Sequence, residues 1–351
     1  MRVVPRRRTT VLAFLALLTV GLAFVRGRRD TSASTPTHGA AASGFRVGLV
    51  FDVGGRGDKS FNDLSWAGLQ RAQRELGAYT EYVEPTGAED REAALRLFAA
   101  RGFDLVIAVG FIFSRDVDEV ARAHPGTRFA CVDYAPPFVP GVPIPPNVTG
   151  LAFREHEGSF LVGAVAGLVS KTSHVGFVGG MDMPLIHKFE AGYRAGVAAV
   201  CPRCVLHVAY AGTTPEAFRD PAKGKAIAHA QIAAGSDVLF HASGSTGLGV
   251  FRAARDAGVY AIGVDADQWD EAPGTVLTSM TKQADVSVFD AIAAAKRRDL
   301  AGGMRVLGLS EAGVDYVHEG PHGALIPAAV KSRVEALRRD VIEGRTTVPS
   351  E

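Results

Sequence analysis

Residues 48–66 read Gly48-Leu-Val-Phe-Asp-Val-Gly-Gly-Arg-Gly-Asp-Lys-Ser-Phe-Asn-Asp-Leu-Ser-Trp66. The apolar residues 45–51 have the length and β-branched character of a buried strand, and Asp52 follows where that strand ends. The sequence Gly-Gly-Arg-Gly comes next and can adopt positive φ, which lets a ligand approach the backbone closely. Ser60 or Asn62 is predicted to cap the helix that follows. A strand, a glycine-rich loop and a helix in this order indicate an open α/β sheet with a ligand site at the strand's carboxyl end.

Three kinds of site use a loop of this composition. A phosphate-binding P-loop requires Gly-Lys-Ser/Thr, but Asp58 precedes Lys59 here, and a carboxylate at that position would repel phosphate. The glycine spacing does not match the dinucleotide-binding G-x-G-x-x-G pattern. In the third kind, a solute pocket, Asp52 and Asn62 form hydrogen bonds and Phe61 stacks on the ligand. Phe61 equally fits a hydrophobic staple at the start of the helix, so the loop alone leaves these two interpretations open.

Further motifs follow along the chain in a fixed order. They are Val109-Gly-Phe111, Phe129-Ala-Cys-Val-Asp133, Glu157-Gly-Ser-Phe-Leu-Val-Gly-Ala-Val-Ala-Gly167, Val175-Gly-Phe-Val-Gly-Gly180, Phe189-Glu-Ala-Gly-Tyr-Arg-Ala-Gly196, Ile262-Gly-Val-Asp-Ala-Asp-Gln268 and Thr278-Ser-Met-Thr-Lys282. Together with Asp58-Lys-Ser-Phe-Asn62, this ordered set resembles the basic membrane protein family. That family comprises solute-binding proteins of ABC transporters and includes bacterial purine-nucleoside receptors.

The resemblance implies a type I periplasmic-binding-protein fold: two lobes, each a parallel sheet flanked by helices, with the ligand cleft between them. It places Phe61 and Phe189 on opposite faces of a nucleoside base, and Asn62 and Asp133 at the base edge. It places Asp265 and Lys282 at the ribose hydroxyls, and we expect Lys282 to lie near Asp265 as its charge partner. Further candidate ligand-binding residues are Asp52, Phe111 and Gly244. For an isolated Asp after a strand, a cap or turn role is the alternative, and the loop at Gly244 can also be read as a phosphate loop.

Alternating strand-like and helix-like segments indicate two successive parallel α/β series. The first lobe is predicted to comprise residues 45–150 with a return segment at about 268–303. The second lobe is predicted to comprise residues 151–267 with a C-terminal segment at about 304–351. Six prolines in residues 136–146 predict a loop between the two series.

The N-terminal residues predict export. Four arginines in residues 2–8 precede an apolar run at residues 11–25, as in a signal peptide, and residues 1–29 are predicted to be a signal peptide or an uncleaved anchor. Residues 30–44 have the composition of a flexible tether. Members of the family commonly carry a lipid on a Cys at the cleavage point, and the first Cys here is Cys131. The targeting segment predicts a location in the periplasm or on the outer face of the cytoplasmic membrane.

The cysteines fit an oxidising compartment. Cys201 and Cys204 form a C-x-x-C pair that follows a predicted helix and precedes a predicted strand, whereas a thioredoxin-like site requires the opposite order. A structural disulfide is therefore predicted for this pair. Cys131 lies within an apolar run, which predicts a buried free thiol.

Composition narrows the class of protein. The chain has 351 residues with a net charge of +1, so nothing favours nucleic acid as a partner. The histidines lack metal-ligand spacing, and neither a metal site nor a cofactor is predicted. The predicted function is delivery of a nucleoside, most simply a purine nucleoside, to an ABC permease by a monomeric binding protein that is not an enzyme. The alternatives are a membrane-anchored sensor, a nucleoside hydrolase, or a binding protein for a flavin or a sugar.

Overall fold

Strands and helices alternate through the described residues, 44–135 and 142–351, of a computed structural model. The strands are β1 (Arg46–Val50), β2 (Tyr79–Val83), β3 (Leu105–Val109), β4 (Arg128–Val132), β5 (Val148–Phe153), β6 (His174–Met181), β7 (Val205–Gly212), β8 (Val238–Ala242), β9 (Tyr260–Asp265), β10 (Val276–Lys282), β11 (Gly303–Leu307) and β12 (Val314–Tyr316). The helices are α1 (Phe61–Leu76), α2 (Ala88–Ala100), α3 (Ser114–Ala123), α4 (Glu155–Val169), α5 (Pro184–Val200), α6 (Pro221–Ala233), α7 (Gly247–Ala257), α8 (Ala284–Arg297) and α9 (Ala328–Ile342). The predicted targeting segment, nearly all of the predicted tether and part of the proline-rich loop lie outside these residues.

The strands form two sheets of six. The order in the first sheet is β11-β5-β4-β3-β1-β2, and every pair is parallel. The order in the second sheet is β12-β10-β9-β8-β6-β7, parallel except that β12 runs antiparallel to β10. Helices α1, α2, α3 and α8 pack on the first sheet, whereas α4, α5, α6, α7 and α9 pack with the second. The first sheet with its helices is called the first lobe below, and the second sheet with its helices the second lobe.

The chain crosses between the lobes three times, and the crossings differ from the predicted boundaries. They fall between β5 and α4, between β10 and α8, and between β11 and β12. The predicted return segment at 268–303 wrongly included β10, which is buried between β9 and β12 in the second sheet. The segment predicted for the second lobe from residue 304 wrongly included β11, a half-exposed edge strand of the first sheet. An apolar run predicts that a strand is buried, but it does not specify which of two similar sheets the strand joins.

The three crossing segments are hydrogen-bonded to one another. The Arg154 amide donates to the Leu307 carbonyl at 2.9 Å, and the Gln283 amide donates to the Gly313 carbonyl, also at 2.9 Å. The guanidinium of Arg154 also pairs with Glu311 on the third crossing at 2.8 Å. A few residues at element ends that connect two packed bodies are the usual structure of a hinge.

Helices α4 and α5 pack closely because glycines line their interface. A methyl group at Gly163 would overlap the carbonyl of Tyr193, and one at Gly192 would overlap the carbonyl of His156. This close approach fixes the start of α5, and therefore the position of Phe189, relative to the first crossing. Among residues 44–135 and 142–351, no helix is long and apolar enough to span a membrane.

Candidate functional site

A cleft lies between the carboxyl ends of the strands of the two sheets. Its volume is about 630 Å³, including the part that is open to solvent. All nine residues predicted from the sequence line it: Asp52, Phe61, Asn62, Phe111, Asp133, Phe189, Gly244, Asp265 and Lys282. The lining also includes residues that the sequence analysis did not assign to the site: Gly54, Asp58, Leu185, Ile186, Phe218, Ala242, Ser243 and Val264. The two lobes thus bring together side chains that are more than 200 positions apart in the sequence.

Asp58 organises the loop that opens α1. Of the two predicted caps, Ser60 and Asn62, Ser60 occupies the N-cap position of the helix. Neither of their side chains forms a cap; the carboxylate of Asp58 accepts from the amides of Ser60 at 2.9 Å, Asn62 at 2.8 Å and Asp63 at 3.2 Å. A single carboxylate therefore pairs the orphan donors of the first turn. Its burial raises the pKa of Asp58 to about 6, while these amide hydrogen bonds favour the charged form.

Asn62 is held by the loop rather than left free toward the cleft. Its carbonyl oxygen accepts from the Asp52 amide at 3.2 Å, and its side-chain nitrogen donates to Asp58 at 3.0 Å. One amide hydrogen remains for a ligand. The side chain that the resemblance placed at the base edge therefore also joins the end of β1 to the start of α1.

Asp52 lies at the end of β1 and has a perturbed carboxyl group. Burial raises its pKa to about 7, against the effect of a 2.6 Å hydrogen bond from the amide of Val53. The neighbouring Gly110 has φ of 109°, and a methyl group there would overlap the Asp52 carboxylate. Only glycine fits this position, because it supplies both the positive φ and the space.

Lys282, the last residue of β10, is the centre of the charged groups in the cleft. Its ammonium donates to both oxygens of Asp133 at 3.0 and 2.8 Å, whereas the nearest oxygen of Asp265 is 3.9 Å away. Lys282 and Asp265 are therefore within ion-pair distance, as predicted, but Asp133 of the first lobe is the hydrogen-bonded partner. These carboxylates together raise the pKa of Lys282 above its ordinary value despite the cost of burial, so the ammonium is charged.

Aromatic rings surround the same ammonium. The Lys282 nitrogen is 4.7 Å from the centre of the Phe61 ring, 5.2 Å from that of Phe153 and 5.6 Å from that of Phe189. Phe61 belongs to the first lobe and Phe189 to the second, so the two rings reach the cleft from opposite sides. Such cation–π contacts fix the ammonium where the apolar and the charged parts of the cleft meet.

Asp133 and Asp265 share an unusual backbone conformation. Asp133 directly follows β4 and has a φ of 59°, and Asp265 is the last residue of β9 and has a φ of 63°. Non-glycine residues with positive φ are uncommon, and they concentrate at functional sites where the surrounding structure holds them. At both positions the chain turns at the end of the strand, and the two carboxylates, one from each lobe, lie near Lys282.

Further contacts join the lobes across the cleft. The hydroxyl of Ser60 donates to Asp265 at 2.6 Å, and the side chain of Gln268 donates to the carbonyl of Lys59 at 3.0 Å. With the Lys282–Asp133 pair, these bonds connect both walls, so the conformation described here is a closed one. The second oxygen of Asp265 has no hydrogen-bond partner among the described residues.

Glu155 is, with Asp58, a charged residue that the sequence analysis did not assign to the site. It begins α4 directly after β5, is 1% exposed, and lies 3.8 Å from the Lys282 nitrogen without lining the cleft itself. The signal was present, because Glu155 follows an apolar strand in the same way as Asp52 and Asp133 do.

The cysteine predictions agree with the structure. Cys201 and Cys204 are joined by a disulfide in the turn between α5 and β7, and Cys131 is a buried free thiol in β4. Burial raises the pKa of the Cys131 thiol well above its ordinary range, which keeps it protonated and unreactive.

The fold and the cleft define the chain as a two-lobed solute-binding protein. A solute-binding protein of an ABC transporter system from Aeropyrum pernix has the same fold, with a TM-score of 0.78 and 28% identity over 88% of this chain and 94% of that one. A protein of Lactococcus lactis named ABC transporter nucleoside-binding protein BmpA is 31% identical over 97% of this chain and 99% of its own length. An uncharacterized lipoprotein of Pyrococcus horikoshii is 35% identical over 77% of this chain and 68% of its own length.

Residues 45–337 match the model of the Bmp family, described as ABC transporter substrate-binding protein PnrA-like. The chain belongs to this family. The predicted family and the predicted type I fold are confirmed. The family consists of substrate-binding proteins of ABC transporters, so the prediction that the chain is not an enzyme is also confirmed.

Proposed function

We propose that the cleft binds a nucleoside, with a purine base as the best fit, and that the protein delivers it to an ABC permease. The observation that carries the proposal is the combination of aromatic rings from both lobes with a buried carboxylate–lysine cluster in one cleft. A nucleoside has one flat apolar part and one part with vicinal hydroxyls, and the cleft offers a matching surface to each.

The aromatic side accounts for the base. Phe61 and Phe189 enter from opposite lobes, and Phe111 and Phe218 extend the apolar surface. A flat ring between Phe61 and Phe189 would bury both of its faces, and aromatic contacts add roughly 0.5–1.5 kcal/mol beyond area burial. Because the rings belong to different lobes, such a ligand stabilises the closed cleft over the open one.

The charged side accounts for the sugar. Asp265 has one carboxylate oxygen without a partner among the described residues, and Lys282 uses two of its three N–H groups on Asp133. A ribose hydroxyl donates to the former and accepts from the latter, and hydrogen bonds to charged groups are the stronger kind. This arrangement favours a ligand with hydroxyl groups over its deoxy analogue.

The balance of charge disfavours nucleotides. Among the described residues that line the cleft, Lys282 is the one cation, and four carboxyl groups line it as well: Asp52, Asp58, Asp133 and Asp265. Lys282 is already paired with Asp133, so a phosphate would meet uncompensated negative charge. This supports a neutral nucleoside over its phosphorylated form, and it argues against reading the Gly244 turn as a phosphate site.

The similarity to a lipoprotein and to a nucleoside-binding protein supports a place outside the cytoplasm, held at the membrane that contains the permease. The predicted N-terminal targeting segment supports the same location. A monomer is expected, because one chain contributes both walls of the cleft.

The test is to identify the bound ligand directly. Purified protein is denatured, and the released small molecules are identified by mass spectrometry; calorimetric titration of the emptied, refolded protein then covers purine and pyrimidine nucleosides, riboflavin and simple sugars. We expect a nucleoside in the released fraction and the tightest binding among purine nucleosides. Binding of riboflavin or a sugar, with no nucleoside bound, would contradict the proposal.

A further inference from the structure

Glu155 is a buried carboxylate whose two oxygens accept no hydrogen bond within the described residues. It is 1% exposed and does not line the cleft. Two ammonium groups flank it: the nitrogen of Lys188 is 3.6 Å from one oxygen, and that of Lys282 is 3.8 Å from the other. Both distances exceed those of hydrogen bonds, so Glu155 is close to two cations without being fully paired by either.

The groups that face Glu155 come from several elements. Lys282 is on β10, Lys188 is on α5, and Asp133 lies at the end of β4 in the other lobe; Asp265 is 3.9 Å from the Lys282 nitrogen. On its own segment, Arg154 pairs with Glu157 and Glu311 instead. Burial raises the pKa of Glu155 to about 7, with the charge of Lys282 as the main opposing effect and that of Asp133 adding to the rise.

The lobes divide this cluster in a definite way. Glu155, Lys188, Lys282 and Asp265 belong to the second lobe, whereas Asp133 belongs to the first. When the lobes separate about the three crossings, Lys282 loses Asp133 but keeps Glu155 and Asp265 as neighbours. Separation of the lobes would therefore leave these two carboxylates as the remaining partners of the Lys282 ammonium.

We propose that Glu155 is a positioning residue that holds the Lys282 ammonium while the cleft is open and takes up a proton when the cleft closes on its ligand. This rests on the proposed function, because ligand binding is what closes the cleft. In the closed form Lys282 is committed to Asp133, so the negative charge of Glu155 is less compensated than in the open form. Closure therefore raises the proton affinity of Glu155, and a lower pH favours closure.

The sign and size of the effect follow from linkage. The closed form has the raised pKa of about 7, and opening removes the Asp133 charge that contributes to this rise, so the pKa of the open form is lower. Protons are taken up on closure between these values, so affinity falls as pH rises toward 7 and then levels off. With a closed-form pKa of about 7, the affinity gained from Glu155 is up to about tenfold greater at pH 6 than at pH 8.

The experiment is calorimetric titration with guanosine and adenosine at pH 6, 7 and 8, in buffers of different ionisation enthalpy. Asp52 and Asp58 also titrate here, with pKa values raised by burial to about 7 and about 6, so wild type is compared with Glu155→Gln. We expect proton uptake by wild type at pH 7 that is reduced in Glu155→Gln, and a pH 6-to-pH 8 affinity ratio up to about tenfold smaller in the variant.

Two further variants complete the design. Glu157→Gln removes a carboxylate from the same helix that lies beside Arg154 and not beside Lys282, and it should keep the wild-type profile. Lys188→Met removes the other cation and should move the midpoint of the profile to higher pH, which tests the proposal even if Glu155→Gln fails to fold. An unchanged profile in Glu155→Gln, or an unchanged midpoint in Lys188→Met, would overturn it. The absence of nucleoside binding by wild type at every pH would instead overturn the proposed function.

Discussion

At the scale of the residue, Asp265 is where recognition of the sugar is expected. Asp265→Ala should weaken ribonucleoside binding by about 2–4 kcal/mol and 2′,3′-dideoxynucleoside binding much less, because the analogue lacks the hydroxyls that donate to the carboxylate. Calorimetric titration with both kinds of ligand measures the difference.

Asp265 also accepts a hydrogen bond from Ser60, so a control must separate the two roles. Ser60→Ala removes this contact between the lobes and leaves the carboxylate in place. It should weaken both kinds of ligand equally. An equal loss for both kinds in Asp265→Ala would mean that the residue supports closure and does not read the sugar.

Lys282 and Asp133 offer a second prediction at this scale. Lys282→Met leaves Asp133 and Asp265 buried without their cation and Glu155 with Lys188 alone, and breaking a buried pair costs roughly 3–5 kcal/mol. The double variant Lys282→Met/Asp133→Asn should recover part of the lost stability, since one uncompensated charge is gone. Denaturant unfolding at pH 8 measures the stability of wild type, the two single variants and the double variant. Strictly additive effects of the two substitutions would show that the pair is not coupled.

At the scale of the element, the start of α1 depends on one carboxylate. Asp58→Ala removes the acceptor for the amides of Ser60, Asn62 and Asp63, and loss of an N-terminal cap costs about 0.5–2 kcal/mol. The same change frees the Asn62 side chain, so ligand binding should weaken as well. Asp58→Asn retains an acceptor oxygen and should lose less on both counts.

Thermal unfolding and titration of the two Asp58 variants provide the measurement. A matched control is Asp63→Ala, because Asp63 accepts amide hydrogen bonds from Gly57 and Lys59 in the same loop but does not line the cleft. We expect it to reduce stability with a smaller effect on affinity. If Asp58→Ala leaves both stability and affinity unchanged, the cap is not what positions Phe61 and Asn62.

At the scale of the whole molecule, export to an oxidising compartment is the property to test. The disulfide between Cys201 and Cys204 predicts that unfolded, unreduced protein from an oxidising compartment takes up one alkyl group, on Cys131, and reduced protein takes up three. Intact mass measurement distinguishes the two counts. Three alkyl groups without reductant, in protein recovered from outside the cytoplasm, would contradict the disulfide.

Much of the candidate site was predictable from the sequence because it follows a local rule. Parallel strands end at the same edge of a sheet, so Asp52, Asp133 and Asp265, each next to the end of an apolar strand, were expected at the cleft. Lys282 follows the same rule at the end of β10, whereas the placement of Phe61 and Phe189 on opposite faces of the base came from the family resemblance. Glu155 follows the same rule, because it lies two residues after the end of β5.

The sequence by itself determined the alternation of strands and helices, the disulfide pair, and the residue types that line the cleft, because each depends on local periodicity, spacing or turn chemistry. Tertiary structure alone decided which sheet β10 and β11 join, since either sheet accepts an apolar strand. It also decided that Lys282 pairs with Asp133 and that Glu155 lies 3.8 Å from the Lys282 nitrogen. Those partners are brought together by three separate crossings of the chain, and contacts between residues far apart in sequence leave no local pattern to detect.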